Sequence, residues 1–410
     1  MARLSQDPSN LGPFIVTPGA VTQARRVQSV NTTADRPNTT EREVGNETIV
    51  GITFDPADVT AGVEANLVNA RLLSLFANFT VDHQWTDKSI QDMLGSADVD
   101  LMLQQRDTAR TQWLQTVYLR QATVNSYRIA ASTDASATET FDLQSDNKTA
   151  FERVVQVDNL TASGSSQANY TLSQTPVTLT RGQYTGNELV SAIMAQPSGS
   201  STYLLEGDDY TVAGTTVTII NSDILADIVN GTQFAFAYQR DGGTTPDPFT
   251  AKDTTSPAAI RGYYFIPVTI TANANGFNVR GMQSIEATIN FNAQKEVGMG
   301  NQAVGAFRQT PAEVTGNFTV FEEEDTLGNL LIAGETGSTD TDYPIDAYRN
   351  DIVIKLEFKD PDTLSVLRTD ILSGLTIIGD TRDVAVGQQV GKQYNFSAST
   401  GFTWYVTKSA

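Results

Sequence analysis

With 410 residues, 40% of them hydrophobic, the chain is long enough for two or three domains with full cores and too apolar to be disordered throughout. Its 47 acids outweigh 27 bases for a net charge of −20. That disfavours a nucleic-acid binding site, which clusters Lys and Arg on phosphates, and suits a surface along which a polyanion slides without sticking. No cysteine is present, which excludes disulfides, thiolate nucleophiles and zinc–thiolate sites.

Residues 1–25 are polar and broken by Pro8, Gly12, Pro13, Pro18 and Gly19, which predicts an extended N-terminal arm with one short strand at Phe14–Thr17. No apolar segment follows the basic residue near the N-terminus, and no run of about eighteen apolar residues occurs anywhere. Neither a secretory leader nor a membrane span is expected, and the chain reads as one folded in a cytoplasm. Arg26–Thr33 alternates as a strand does. Residues 34–47 lack hydrophobic periodicity and read as a long loop ending at Gly45-Asn46; a loop of that length in a compact domain usually has a task. Thr48–Phe54 and Val59–Ala65 read as strands around an Asp55-Pro56 turn. Asn66–Asn78 then places Leu67, Ala70, Leu72, Leu73 and Phe76 at helical spacing. Asp98–Gln105 and Trp113–Val124 make a hairpin, and ATETFDL a closing strand.

Between residues 150 and 255 short strands are predicted at Val154–Val157, Tyr170–Leu172, Val177–Leu179, Tyr203–Leu205, Tyr210–Val212, Thr216–Ile220 and Gln233–Tyr238. GDDYTVAGTTVTII is a hairpin turning at Ala213-Gly214, and DGGTTPDPFTAKDTTSP reads as a linker. Tyr263–Thr271 is a β-prone strand leading into the last part of the chain, where Glu322–Ala333 is helical, IVIKLEFK and VLRTDILSGLTII form a hairpin, and QYNFS closes.

The two ends of the chain repeat each other. Residues 26–60 and 281–315 align without a gap at an offset of 255, with ten of thirty-five positions identical, among them Gln28/Gln283, Glu41/Glu296, Gly45/Gly300, Asn46/Asn301, Pro56/Pro311, Val59/Val314 and Thr60/Thr315. Composition alone would give about two. Residues 98–126 repeat as 351–379 at an offset of 253. The expected organisation is an arm (1–25), a first copy (26–149), an inserted β domain (150–255) and a second copy (256–410). The expected fold class is mainly β: two tandem β-sandwich or barrel domains, each with one helix, plus an inserted β-sandwich.

Catalytic chemistry finds little support. His83 is the single histidine, with no nucleophile motif beside it, and reads as structural. Asp208-Asp209, Asp340/Asp342 and Asp360/Asp362 sit in predicted turns, where Asp is favoured for backbone reasons; none carries the full calcium-loop pattern. The acids of Phe321-Glu322-Glu323-Glu324-Asp325 open a predicted helix at its dipole-favoured end, or form an acidic rim. Several Asn-x-Ser/Thr triplets, including those at Asn31, Asn38, Asn46, Asn78, Asn147, Asn169 and Asn317, follow from richness in Asn and Thr. No catalytic residue, metal or cofactor is expected.

The order strand, long loop, strand, then PADVTAGVEANLVNARLLSLF or PAEVTGNFTVFEEEDTLGNLL, together with the hairpin VDLMLQQRDTARTQWLQTVYLRQATV and the late strand ATETFDLQSDNKT, resembles the major tail tube proteins of long-tailed, non-contractile phages and related archaeal viruses. The resemblance covers both repeats, somewhat more than half the chain. It implies subunits whose strands join into an inner barrel around a lumen for DNA, with six such folds per ring and rings stacked into a tail. A duplicated chain then implies a trimeric, pseudo-sixfold ring, with the inserted domain on the outside. It further implies self-assembly, contacts with other tail proteins such as the tape measure, terminator and tip, transient contact with viral DNA, and a place in the virion tail after assembly in the host cytoplasm. The long loop, with Asp35, Arg36, Glu41, Gly45 and Asn46 in the first copy and Glu296, Gly300 and Asn301 in the second, becomes the element that reaches a neighbouring subunit or ring. Pro56, Val59, Thr60, Pro311, Val314 and Thr315 become the repeat core. Open alternatives are a secreted or surface β-sandwich adhesin or S-layer-like protein, a carbohydrate-active enzyme on β domains, and the tube of a contractile injection system.

Overall fold

The computed structural model describes residues 11–409 except 25–26, 36–37, 43–48, 55–57, 68–69, 78–83, 96–97, 107–112, 152–154, 182–183, 196–200, 240–267, 273–274, 280, 297–305, 309–311, 322–326, 328–329, 332–348, 361, 384–390 and 399–400. The fold is mainly β with three short helices among the described residues. The first part of the chain contributes β1 (Leu11–Thr17), β2 (Ala20–Gln23), β3 (Val27–Asp35), β4 (Asn38–Arg42), β5 (Ile49–Phe54), β6 (Asp58–Asn66), α1 (Arg71–Phe76), β7 (Trp85–Ser89), α2 (Ile90–Leu94), β8 (Asp98–Arg106), β9 (Trp113–Ser132), β10 (Thr138–Ser145) and β11 (Asn147–Phe151). The middle adds β12 (Val155–Thr161), β13 (Asn169–Thr171), β14 (Thr178–Arg181), β15 (Tyr184–Asn187), β16 (Ser191–Ala195), β17 (Ser201–Tyr203), β18 (Tyr210–Ala213), β19 (Thr216–Ile219), α3 (Ser222–Asp227) and β20 (Gln233–Gln239). The last part holds β21 (Val268–Ala272), β22 (Asn275–Val279), β23 (Met282–Asn290), β24 (Gln294–Glu296), β25 (Ala306–Arg308), β26 (Glu313–Phe321), β27 (Ile352–Lys359), β28 (Val366–Asp383), β29 (Gly391–Ala398) and β30 (Thr403–Lys408).

The repeat is present in the hydrogen-bond ladders down to their irregularities. In β3–β6 the register slips between Val27 and Ser29; in β23–β26 it slips between Met282 and Ser284, at the matched Gln28 and Gln283. The β8–β9 ladder slips between Val99 and Leu101 and again between Gln105 and Arg106; β27–β28 slips at the equivalent Ile352/Ile354 and Phe358/Lys359. Gln121 in β9 and its counterpart Gly374 in β28 both carry positive φ, 49° and 72°. A bulge leaves one residue unpaired and bends its strand. That bend lets β9 and β28 each serve two sheets: Trp113–Thr123 pairs with β8, and Thr123–Ala130 with β10.

The repeat also begins earlier than the sequence reading places it. Residues 11–23 are not an extended arm. They form the β1–β2 hairpin, and β1 pairs with β8 over Leu11–Val16, as β21 pairs with β27. Pro13 and Pro18 obscured this, yet Phe14, Ile15 and Val16 are buried. The predicted long loop needs a second correction. β3 runs to Asp35, and β4 pairs with β5 from Asn38↔Phe54 to Arg42↔Ile49, so residues 38–42 are one side of a hairpin, while 36–37 and 43–47 lie outside the described residues. β24–β25 is its counterpart, with Gln294↔Arg308 matching Thr39↔Thr53 at the same offset. The predicted helix over 66–78 shrinks to Arg71–Phe76, because the alternation of β6 continues through Asn66. In the second copy the described Leu327, Leu330 and Leu331 are helical and buried.

Each copy is thus a pair of packed sheets. One holds β2-β1-β8-β9-β11 in the first copy and β22-β21-β27-β28-β30 in the second. The other holds β3-β6-β10-β9 and β23-β26-β29-β28. A single hydrophobic cluster, from Ile15 and Val63 through Phe141 to Phe318, Phe396 and Trp404, fills the space between the sheets of both copies.

Candidate assembly interface

The two copies meet edge to edge. β9 pairs antiparallel with β23 over seven residues, Ser132↔Ser284 to Ser126↔Asn290, so β3-β6-β10-β9-β23-β26-β29-β28 is one sheet of eight strands, four from each copy. Beyond the ladder, Thr133 N donates to Gln283 O at 2.9 Å and Phe291 N to Asn125 O at 2.8 Å, while Ala293 N donates to Asn125 Oδ1 at 2.9 Å. Asn125 can reach across because it is the bulged residue of β9, passed over between Ser126↔Asp142 and Val124↔Leu143. Two ion pairs cross the same seam, Arg128–Glu286 at 3.1 Å and Lys295–Asp58 at 2.9 Å. A second strand joint lies on the other sheet, where β7 of the first copy pairs with β30 of the second through Tyr405↔Ser89 and Val406↔Lys88.

Beneath the seam lies a sealed polar cluster. Arg368 and Asp370 both fall on the core-facing parity of β28 and are 0% exposed. The Arg368 guanidinium grips Asp370 with two hydrogen bonds, at 2.5 and 2.7 Å, and donates through Nη2 to the Tyr127 hydroxyl at 2.7 Å. It also lies 3.4 Å from Glu139, which accepts from Tyr127 at 3.3 Å, while Trp404 Nε1 donates to Asp370 at 3.1 Å. Tyr127 and Glu139 belong to the first copy, Arg368, Asp370 and Trp404 to the second. One cation faces two carboxyls in a dry space. Burial therefore outweighs the pull of Arg368 on Glu139, whose pKa is pushed up from 4.5 to about 7. The partners of Arg368 outweigh its burial and hold it firmly charged.

The inserted unit sits on the opposite side of the molecule from the eight-strand sheet. Along β1, β8 and β9 one parity (Ile15, Leu101, Leu103, Leu119) enters the main core, and the other (Phe14, Val16, Met102, Tyr118) packs on Val155, Ala235 and Ala237 of the insert. Asp100 is buried at this junction, where it accepts from Tyr118 Oη at 2.6 Å and Gln121 N at 2.8 Å; burial raises its pKa. In the second copy the same positions are Thr269, Thr271, Lys355 and Ile371, none of them fully buried. The apolar run VDLML, set against the alternating IVIKLEF, records which copy carries a covering unit.

Of the residues expected at the interface, Asp35 is exposed at the end of β3, Glu41 lies in β4, and Glu296 is exposed at the end of β24. Arg36, Gly45, Asn46, Gly300 and Asn301 fall outside the described residues, as do Pro56, Pro311 and His83. Val59 and Val314 are 1% exposed in the main core. Thr60 and Thr315 are exposed, and Thr60 meets Thr33 hydroxyl to hydroxyl at 2.5 Å; strand alternation turns them away from the core in which they were expected. Asp360 caps its own turn by accepting from Asp362 N and Thr363 N, which lowers its pKa. Sequence reasoning missed Arg368, Asp370, Glu139 and Asn125. The first two were detectable as charges at the apolar parity of VLRTDIL; Asn125 had no signal. No family model matches the chain, and no curated protein is similar to it.

Proposed function

We propose that this protein is the building block of a viral tail tube, a non-enzymatic virion protein that polymerises as stacked rings around a channel for DNA. The observation that carries the reading is the edge-to-edge union of two like folds into one eight-strand sheet whose outermost strands, β3 and the end of β28, have no further strand beyond them among the described residues. Exposed edges of this kind invite another strand, and a closed ring removes them. Three chains of eight strands each supply the six folds that the tube-protein resemblance calls for.

The face of this sheet turned from the core suits a DNA channel. It carries Thr33, Thr60, Thr140, Thr288, Thr315 and Ser397 with the acids Asp58, Glu64, Asp142, Glu286 and Glu313. Arg128 also lies there, engaged by Glu286. A wall of small hydroxyls and carboxylates repels phosphate and offers it no firm contact. The inserted unit, packed against the other sheet, falls on the outside of such a ring.

Negative-stain microscopy of the purified protein tests the reading. Rings or stacked tubes are the expected result; monomers at high concentration, or a channel lined by Arg and Lys in a tube map, would refute it.

A further inference from the structure

Because each copy repeats the other's ladders, the joint inside the chain specifies the joint between chains. We propose that the end of β28 pairs antiparallel with β3 of a second copy of this chain, in the register of β9 with β23, and that Ile378 is its apolar anchor. Shifting the β9–β23 pairs by the two repeat offsets sets Asp35 against Gly379, Thr33 against Thr381 and Asn31 against Asp383. Neither edge carries a further strand among the described residues: β3 pairs with β6 alone and the end of β28 with β29 alone, and Lys148 Nζ, which donates to Thr32 O at 3.1 Å, gives way when the neighbour arrives.

Ile378 is an independent sign that something covers this edge. It is the bulged residue of β28, passed over between Ile377 and Gly379 as Asn125 is in β9. Asn125 accepts from the backbone N–H groups of Phe291 and Ala293, which lead into β24 of the second copy. Ile378 is 63% exposed, more than the other large hydrophobics Leu364, Val229, Ile220, Leu205 and Tyr405. In the proposed joint it meets the end of β3 of the second copy beside Asp35, where burial repays its exposure. The inference rests on ring formation from the preceding reading, but not on what the ring encloses.

The chain has no cysteine, so introduced thiols report without background. Thr33→Cys combined with Thr381→Cys is expected to give covalent chain multimers on mild oxidation, seen on non-reducing gels. Ser29→Cys with Thr381→Cys, on the same strands but four residues out of register, is expected not to. Rings or tubes under the microscope without the Thr33–Thr381 link would overturn the register and leave ring formation standing. Monomers in both measurements would overturn both. Ile378→Asp should keep the far-UV circular dichroism of the parent and raise the concentration needed for assembly at least tenfold; assembly at the parent concentration would overturn its role as anchor.

Discussion

Replacing Arg368 by Met is the sharpest test of how the two copies are held together. The side chain is 0% exposed, bonded twice to Asp370, once to Tyr127 and close to Glu139. Methionine fills most of the space, so little of the effect would come from a cavity. What remains is a pair of carboxyls facing each other in the core with Trp404 Nε1 and Tyr127 Oη as their donors. Breaking a buried ion pair by removing one partner costs about 3–5 kcal/mol. A domain's whole stability is about 5–15 kcal/mol, so the variant should lose a large share of it.

Urea unfolding followed by tryptophan fluorescence measures the loss, since Trp404 lies in the cluster with its ring 5.5 Å from that of Tyr127. Combining Arg368→Met with Asp370→Asn and Glu139→Gln keeps an acceptor for Trp404 and for Tyr127 and removes both carboxylates. This triple variant should recover part of the loss, because the penalty belongs to the orphaned charge. A single variant that loses less than about 1 kcal/mol, or a triple variant that is worse than the single, would refute the account.

Glu139 makes stability depend on pH. Its pKa rises from 4.5 unfolded to about 7 folded, so the folded chain holds a proton that the unfolded chain has released. This contribution is complete below about pH 4.5 and is lost as pH rises to about 7, on the order of 3 kcal/mol in all. Glu139→Gln should flatten the stability profile between pH 5 and 7; an unchanged slope counts against it. Gly316→Ala should cost about 1–3 kcal/mol by urea unfolding, because a Cβ there runs into the Glu286 carbonyl and the buried Phe396 ring. A neutral result would mean that β23 and β29 can move apart. Gly374→Ala should cost about 1–2 kcal/mol, since φ is +72° and the added Cβ lies 2.8 Å from Gly401 O. A melting temperature equal to the parent's would show that the bulge relaxes.

Much of the architecture could be read from the chain because two-residue alternation and internal repetition are both strong signals. Val59, Ala61, Val63 and Ala65 alternate with Thr60, Gly62 and Glu64, and the strand read at Val59–Ala65 is β6, Asp58–Asn66. What escaped did so for identifiable reasons. β4, NTTER, has no apolar parity and so reads as loop. β1 is masked by the prolines that flank it, although Pro13 lies within the strand and still pairs with Leu103. β7, WTDKS, has one apolar residue and exists by pairing with a strand more than three hundred positions away. The seam itself could not be read at all. Which strand of one copy meets which strand of the other depends on side chains such as Asn125, whose position at a bulge is a property of the ladder and not of the local sequence.

Duplication within one chain allows the two kinds of joint to differ, and the cluster beneath the seam indicates how. At the inner joint the first copy presents Tyr127 and Glu139, which depend on Arg368 from the second copy. At the open end of the second copy the equivalent positions are Asp380 and Lys392, which pair with each other at 3.1 Å and are about one-fifth exposed. The position equivalent to Arg368 in the first copy is the exposed Gln115. The inner joint therefore buries Glu139 of the first copy beside a cation that only the second copy supplies, so it is costly to open. The outer edge balances its own charges and can face water before a neighbour arrives. A subunit that waits in solution and then joins others needs the second kind of edge. Two folds that are never meant to part can use the first, and a single chain with diverged copies provides both.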